Sequence, residues 1–155
     1  MTHREPALSR RTPIDSKYAT CERTAVSLRV YLENKSSSWV TKVLGMPATS
    51  AVDAGSIVPG GRRVARKTGW FLESEKHVDS LDVRDHLDWL AVALQGKERQ
   101  ILQLQREDGV SLTVNCVWWS KGGEGGPTIW PEQMSFLSRM GLELTFEFSS
   151  YAEDD

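Results

Sequence analysis

Four cations stand within one short run, Arg62, Arg63, Arg66 and Lys67, and Trp70 follows directly after them. Positive charge beside an aromatic ring is how a nucleic-acid strand is held, with phosphates on the cations and a base on the ring. The same run also reads as a charged, solvated edge strand that refuses pairing with other chains. The whole-chain balance favours that second reading. Nineteen Lys and Arg stand against 21 Asp and Glu, a formal charge of −2, which leaves no global field for a polyanion. A small-molecule or nucleic-acid module built on Arg62 to Trp70 is therefore the alternative and not the main expectation.

Other chemistry is sparse. The glycine runs Gly60-Gly61 and Gly122-Gly123-Glu124-Gly125-Gly126 offer bare amides beside Arg62 and Lys121, as a phosphate cradle would. Neither has Walker or dinucleotide spacing, and no Lys-Ser or Lys-Thr opens a helix behind them, so both read as turns. His86 follows Asp82 at helical spacing, which suits an ion pair better than a ligand set. With no His-x-x-x-His and no Cys-x-x-Cys, neither a metal nor a cofactor is expected. Cys21 and Cys116 each fall in an alternating segment and read as small core side chains. Two cysteines are not the disulfide framework of a secreted domain, and no signal-peptide core precedes them, so a cytoplasmic location is expected. There is no Gly-x-Ser-x-Gly, and Glu143 and Glu147 alternate outward on a strand, so no catalytic residue is assigned and a non-enzymatic role is expected.

The elements that would position these groups follow from hydrophobic period. The chain's 155 residues, 39% apolar and 26% charged, suit one globular domain with one core. No apolar run is long enough to cross a membrane, so no membrane partner is expected. Residues 1–18 carry Arg, Pro and Ser without a period and read as a flexible arm dispensable for folding. The domain spans 19–151, and 152–155 form an acidic tail. Val26, Leu28, Val30 and Leu32 alternate as a first strand. A short helix with Trp39, Val40, Val43 and Leu44 ends at Gly45. Residues 48–61 read as a loop, and 63–74 as extended. Val83, Leu87, Leu90, Ala91 and Leu94 give a long helix, which the segment 97–106 continues or follows as a second one. Val110, Leu112, Val114, Cys116 and Trp118 alternate as a strand. Thr128 to Trp130 re-enter the sheet, Pro131 opens another helix that Gly141 ends, and Leu142 to Phe148 close the domain as a strand. The class is α+β, in the order β-α-β-α-β-β-α-β. Strands with one apolar face imply a mostly antiparallel sheet with helices on one side.

Val43-Leu44-Gly45-Met46-Pro47 after the first strand, then Thr68-Gly69-Trp70-Phe71-Leu72-Glu73 before a long helix, together with the closing helix, glycine and strand of 137–148, resemble a bacterial family known only as a domain of unknown function, DUF4279. The resemblance covers roughly residues 19 to 151 and transfers no site residue. It implies an interaction protein of the immunity or antitoxin kind, whose partner is another protein or a second copy of itself.

Trp118 and Trp119 are neighbours on one strand and must point to opposite faces. With Trp118 inward, Trp119 shares the other face with Val117 and Asn115, and a suitable register adds Tyr31 and Arg29. Such a patch needs a cover, supplied either by one of the loops 48–61 and 121–127 or by a partner. Tyr31, Val117 and Trp119, with Arg62, Arg63, Arg66 and Trp70, are thus the candidate binding residues.

Overall fold

The computed structural model describes residues 11–58 and 60–150. The first strand, β1, runs Cys21–Leu32, and its even-numbered side chains Val26, Leu28, Val30 and Leu32 are all buried. Helix α1 (Ser37–Leu44) stops at Gly45, whose φ of 66° is the left-handed turn that ends it. A short strand β2 (Ser50–Val52) and β3 (Thr68–Glu73) are joined by a projecting hairpin in which Ile57 bridges Val64. Then come α2 (Val83–Ala93), α3 (Glu98–Arg106), β4 (Val110–Ser120), α4 (Pro131–Met140) and β5 (Leu144–Ser150).

The strands lie in the order β2-β3-β1-β4-β5. All neighbours are antiparallel except β4 and β5, which α4 connects as a crossover must. The even-numbered side chains of β1, β3 and β4 face the helices: α2 packs on β1, α3 on β4, and α1 on β3. The mostly antiparallel α+β class is as the period of the strands implies.

Local differences have identifiable causes. Gly96, with φ at 77°, separates α2 from α3, and Lys97 then reaches back to donate to the Leu44 carbonyl at 2.7 Å, capping α1. Strand β2 falls within the segment read as a loop, because three residues show no period and pairing with β3 alone creates it. The extended expectation for 63–74 shortens to β3, since residues 63–67 belong to the hairpin. Thr128 to Trp130 do not rejoin the sheet. The Tyr18 hydroxyl donates to the Gly126 carbonyl at 2.7 Å, and the Trp130 amide donates to Gln133 Oε1 at 2.7 Å, which turns the chain into α4 instead.

The described end of the arm makes contacts that its composition does not show. Residues 1–10 lie outside the described part, but 11–18 are pinned to the core. Asp82 and Arg84 form an ion pair at 2.6 Å with both side chains fully buried. Arg84 also donates to the carbonyls of Thr12 (2.5 Å) and Pro13 (3.1 Å), and the Asp15 amide donates to Asp82 Oδ2 at 3.0 Å. The Trp130 ring lies 5.2 Å from the Arg84 guanidinium and donates its indole N–H to Thr12. A desolvated pair of this kind needs every remaining donor satisfied, and the arm supplies the acceptors.

Candidate functional site

Helices cover one face of the sheet, and the odd-numbered side chains of β1, β3, β4 and β5, with Ser50 and Val52 of β2, line the other. Along β1 these are Arg23, Ala25, Ser27, Arg29 and Tyr31. At the Tyr31 end, Gly69 sits directly across on β3. A Cβ there would meet the Phe71 ring at 2.5 Å, so glycine is what lets that ring lie down on the strand. Phe71 then packs edge-on against Tyr31, centroids 5.7 Å apart, as an aromatic floor.

The hairpin forms a wall beside this floor. Between them opens a cleft of about 940 Å³ lined by Tyr31, Val58, Arg63, Val64, Ala65, Arg66 and Lys67. Tyr31 and Val58 also border a second cleft of about 440 Å³ over Phe71, Arg29 and Glu73. Arg29 and Glu73 in turn border a third of about 160 Å³ that reaches Ser27, Arg23, Glu75 and Val117. The shared residues make one groove along β1, from the cationic hairpin to Arg23.

Charge is unevenly spent along it. Arg23 pairs with Glu75 at 2.6 Å and lies 4.8 Å over the Trp119 ring. Arg29 meets Glu147 at 3.4 Å. Arg62, Arg63, Arg66 and Lys67 are exposed, and among the described residues none of them forms an ion pair. Ile57 and Val64 add exposed apolar surface to the same hairpin.

Tyr31, Val117, Arg63 and Arg66 therefore line one groove, with Trp119 beside its far end and Arg62 on the exposed hairpin. The aromatic patch expected on this face is not contiguous: Tyr31 pairs with Ser111, whereas Trp119 pairs with Arg23 at the opposite end of β1. Neither expected loop covers the whole face, since the hairpin flanks Tyr31 and the 121–127 loop turns toward Trp118 on the other side. Trp70 does not belong to the site. It points to the helix face, is 0% exposed, and donates its indole N–H to Thr41 of α1 at 3.0 Å. Phe71 was not singled out from the sequence, although alternation with an inward Trp70 puts it outward. Glu73 is placed by the same alternation.

The groups with reactive chemistry are buried away from the groove. His86 does not pair with Asp82, which Arg84 occupies. The Ser80 carbonyl can only accept, so Nε2 carries the proton and donates to it at 2.8 Å, which leaves Nδ1 of the neutral ring to accept from the Ser74 hydroxyl at 2.7 Å, whose oxygen accepts from the Val26 amide at 2.9 Å. That fixes a neutral imidazole in a serine–histidine contact no substrate reaches, both residues being at most 1% exposed. Burial lowers the His86 pKa from its ordinary 6.5, against the Ser80 contact that would raise it. Burial would raise the Asp82 carboxyl, but the Arg84 hydrogen bonds and the amides of Asp15 and Arg84 outweigh it and hold the carboxyl below 3.8. Cys21 and Cys116 are free thiols, pushed up by burial to about 11 and about 12. No group of three or more metal-ligating side chains occurs among the described residues, and no helix among them is long and apolar enough to cross a membrane.

These shifts set a pH window for stability. A depressed His86 stabilises fully above its unfolded value near 6.5, and that contribution is lost as pH falls below it; Asp82 adds a second loss below 3.8. The raised thiols stabilise below their unfolded value of 9.0, and that is lost as pH rises through it. Melting temperature should therefore plateau between about pH 6.5 and 9, and His86→Gln should flatten the acid shoulder between 6.5 and 4. A shoulder unchanged in that variant would remove His86 as its cause.

The family described as a domain of unknown function, DUF4279, matches residues 20–151. No curated protein and no solved structure matches the chain.

Proposed function

The chain belongs to the DUF4279 family, and from the groove itself we propose that it is a bacterial cytoplasmic interaction protein that works by holding an acidic, extended segment of another protein along β1. An immunity or antitoxin-like role, in which one small protein restrains another by occupying it, is the form of that activity we favour. The observation that carries the reading is the continuity of the groove from Arg63, Arg66 and Lys67, which form no ion pair among the described residues, to an apolar and aromatic floor. Cations without partners of their own offer long-range attraction and orientation to a carboxylate-bearing chain. The floor of Tyr31, Phe71 and Val58 supplies the desolvated contact that charge alone lacks. A single-stranded nucleic acid is the second reading, and it is weakened because the ring nearest the cations in sequence, Trp70, is buried.

A labelled decapeptide alternating Glu with Leu, compared with a thymidine decamer, tests both. The peptide should bind the wild-type chain, weaken as salt rises, and lose about tenfold or more in affinity in the Arg63→Glu/Arg66→Glu variant. Tighter binding of the decamer would overturn the reading in favour of nucleic acid. Concentration-dependent dimerisation that blocks peptide binding would make a second copy the occupant.

A further inference from the structure

Asn115 sits on the face of the sheet that no helix covers, on β4 between Ser27 of β1 and Thr145 of β5. It is nevertheless only 3% exposed, and its Nδ2 has no hydrogen-bond partner among the described residues. A polar side chain on an uncovered face should meet water, so something lies across it. The register identifies what. Arg29 stands opposite Thr113, two residues to one side of Asn115, and Glu147 stands opposite Val117, two residues to the other. The Arg29–Glu147 ion pair, at 3.4 Å, therefore crosses β4 over position 115. Of the two amide atoms, Nδ2 is the one that is both buried and without a hydrogen-bond partner among the described residues.

We propose that the Arg29–Glu147 pair is a latch over Asn115, opened when a carboxylate of the acidic partner segment takes Arg29, after which the Asn115 amide donates to a main-chain carbonyl of that segment. The inference rests on the groove reading above and names what selects its partner. The latch opens readily, since its members are 31% and 57% exposed and a surface pair of this separation holds weakly. A partner carboxylate replaces Glu147 on the guanidinium, where a bidentate fork is stronger than a single long contact. Glu147 is released to water and keeps its solvation. Arg29 borders both inner clefts of the groove, so its movement widens the groove beside Ser27. A buried donor left unpaired in the free chain is unfavourable, and pairing it with the partner turns that cost into selectivity for a segment whose main chain runs along β1.

The same labelled Glu/Leu decapeptide tests the latch. Glu147→Gln, which leaves Arg29 held only by its Nε–H donation to the Ser27 hydroxyl at 3.2 Å, should tighten binding about fivefold, whereas Glu124→Gln, removing an equal charge on the 121–127 loop, should change it less than about twofold. Asn115→Ala should weaken binding about fivefold with a melting temperature equal to or above that of the wild type, because a merely structural asparagine would lower it. In wild-type protein, the Asn115 side-chain amide resonances should shift on peptide addition, an arm that does not depend on any variant folding. Equal effects of the two glutamate variants, or unmoved Asn115 amide resonances, would overturn the latch while leaving the groove intact if Arg63→Glu/Arg66→Glu still abolishes binding. Absence of peptide binding by the wild-type chain would overturn both.

Discussion

Asp82→Ala is expected to remove about 3 to 5 kcal/mol of stability, because it leaves the Arg84 guanidinium buried and uncompensated. Both members of the pair are fully buried, so solvent screening does not soften the loss. Asp82 also accepts from the Arg84 amide at 3.0 Å as the N-cap of α2, a contact whose removal costs about another 1 kcal/mol. At this chain length a loss of that size lowers the melting temperature by about 10 °C or more. Deleting residues 1–17 should take a large share of the same energy, since it removes the Thr12 and Pro13 carbonyls and the Asp15 amide from the pair. The double variant Asp82→Asn/Arg84→Met should recover much of the loss, as an apolar replacement leaves no charge to satisfy. Thermal melts of the three proteins check the argument. A deletion that shifts the midpoint by less than about 3 °C, roughly 1 kcal/mol, would return the arm to the dispensable role its composition suggests.

That arm shows where reading the sequence stops. Thr12 and Pro13 contribute main-chain carbonyls, and main-chain groups carry no signal in residue type or period. What composition registers is Arg, Pro and Ser without apolar spacing, which is equally the pattern of a free tail. Where period carries the information, the reading holds: alternation in β1 and β4 puts Val114, Cys116 and Trp118 inward and Val117 and Trp119 outward. The outward face was legible for the same reason, and Tyr31, Val117 and Trp119 do lie on it. Their distribution was not legible. Whether Tyr31 neighbours Trp119 depends on the pairing register of β1 with β4, and hydrophobic alternation fixes register only to an even number of residues. The hairpin cations were visible as a cluster, but Trp70, adjacent in sequence, belongs to the opposite face. Phe71, its outward neighbour, supplies the ring, and only the glycine at 69 hints that a side chain lies down beside it. The latch over Asn115 joins three strands and has no local signature at all.

The two adjacent tryptophans should separate folding from recognition. Trp118 is 2% exposed and meets Tyr18 and Phe148 edge-on, with centroids 6.4 Å and 6.2 Å away. Its indole N–H has no hydrogen-bond partner among the described residues, so truncation there forfeits packing. Trp118→Ala should accordingly cost about 3 to 5 kcal/mol through lost burial and the cavity left behind. Trp119 points the other way, is half-buried, and carries the Arg23 guanidinium 4.8 Å from its ring. A cation over a partly exposed ring contributes about 0.5 to 1 kcal/mol, and the ring is only half-buried, so Trp119→Ala should cost clearly less stability than Trp118→Ala. It should weaken the acidic decapeptide more than it weakens the fold, because Arg23 loses the surface that holds it at the end of the groove and turns fully to Glu75. Denaturant melts and peptide titrations on both variants read the two quantities independently. If Trp119→Ala unfolds as readily as Trp118→Ala, then Trp119 is part of the folded framework and the groove ends at Val117. If it folds normally and binds the peptide as the wild type does, the Arg23 end of the groove takes no part in holding the partner.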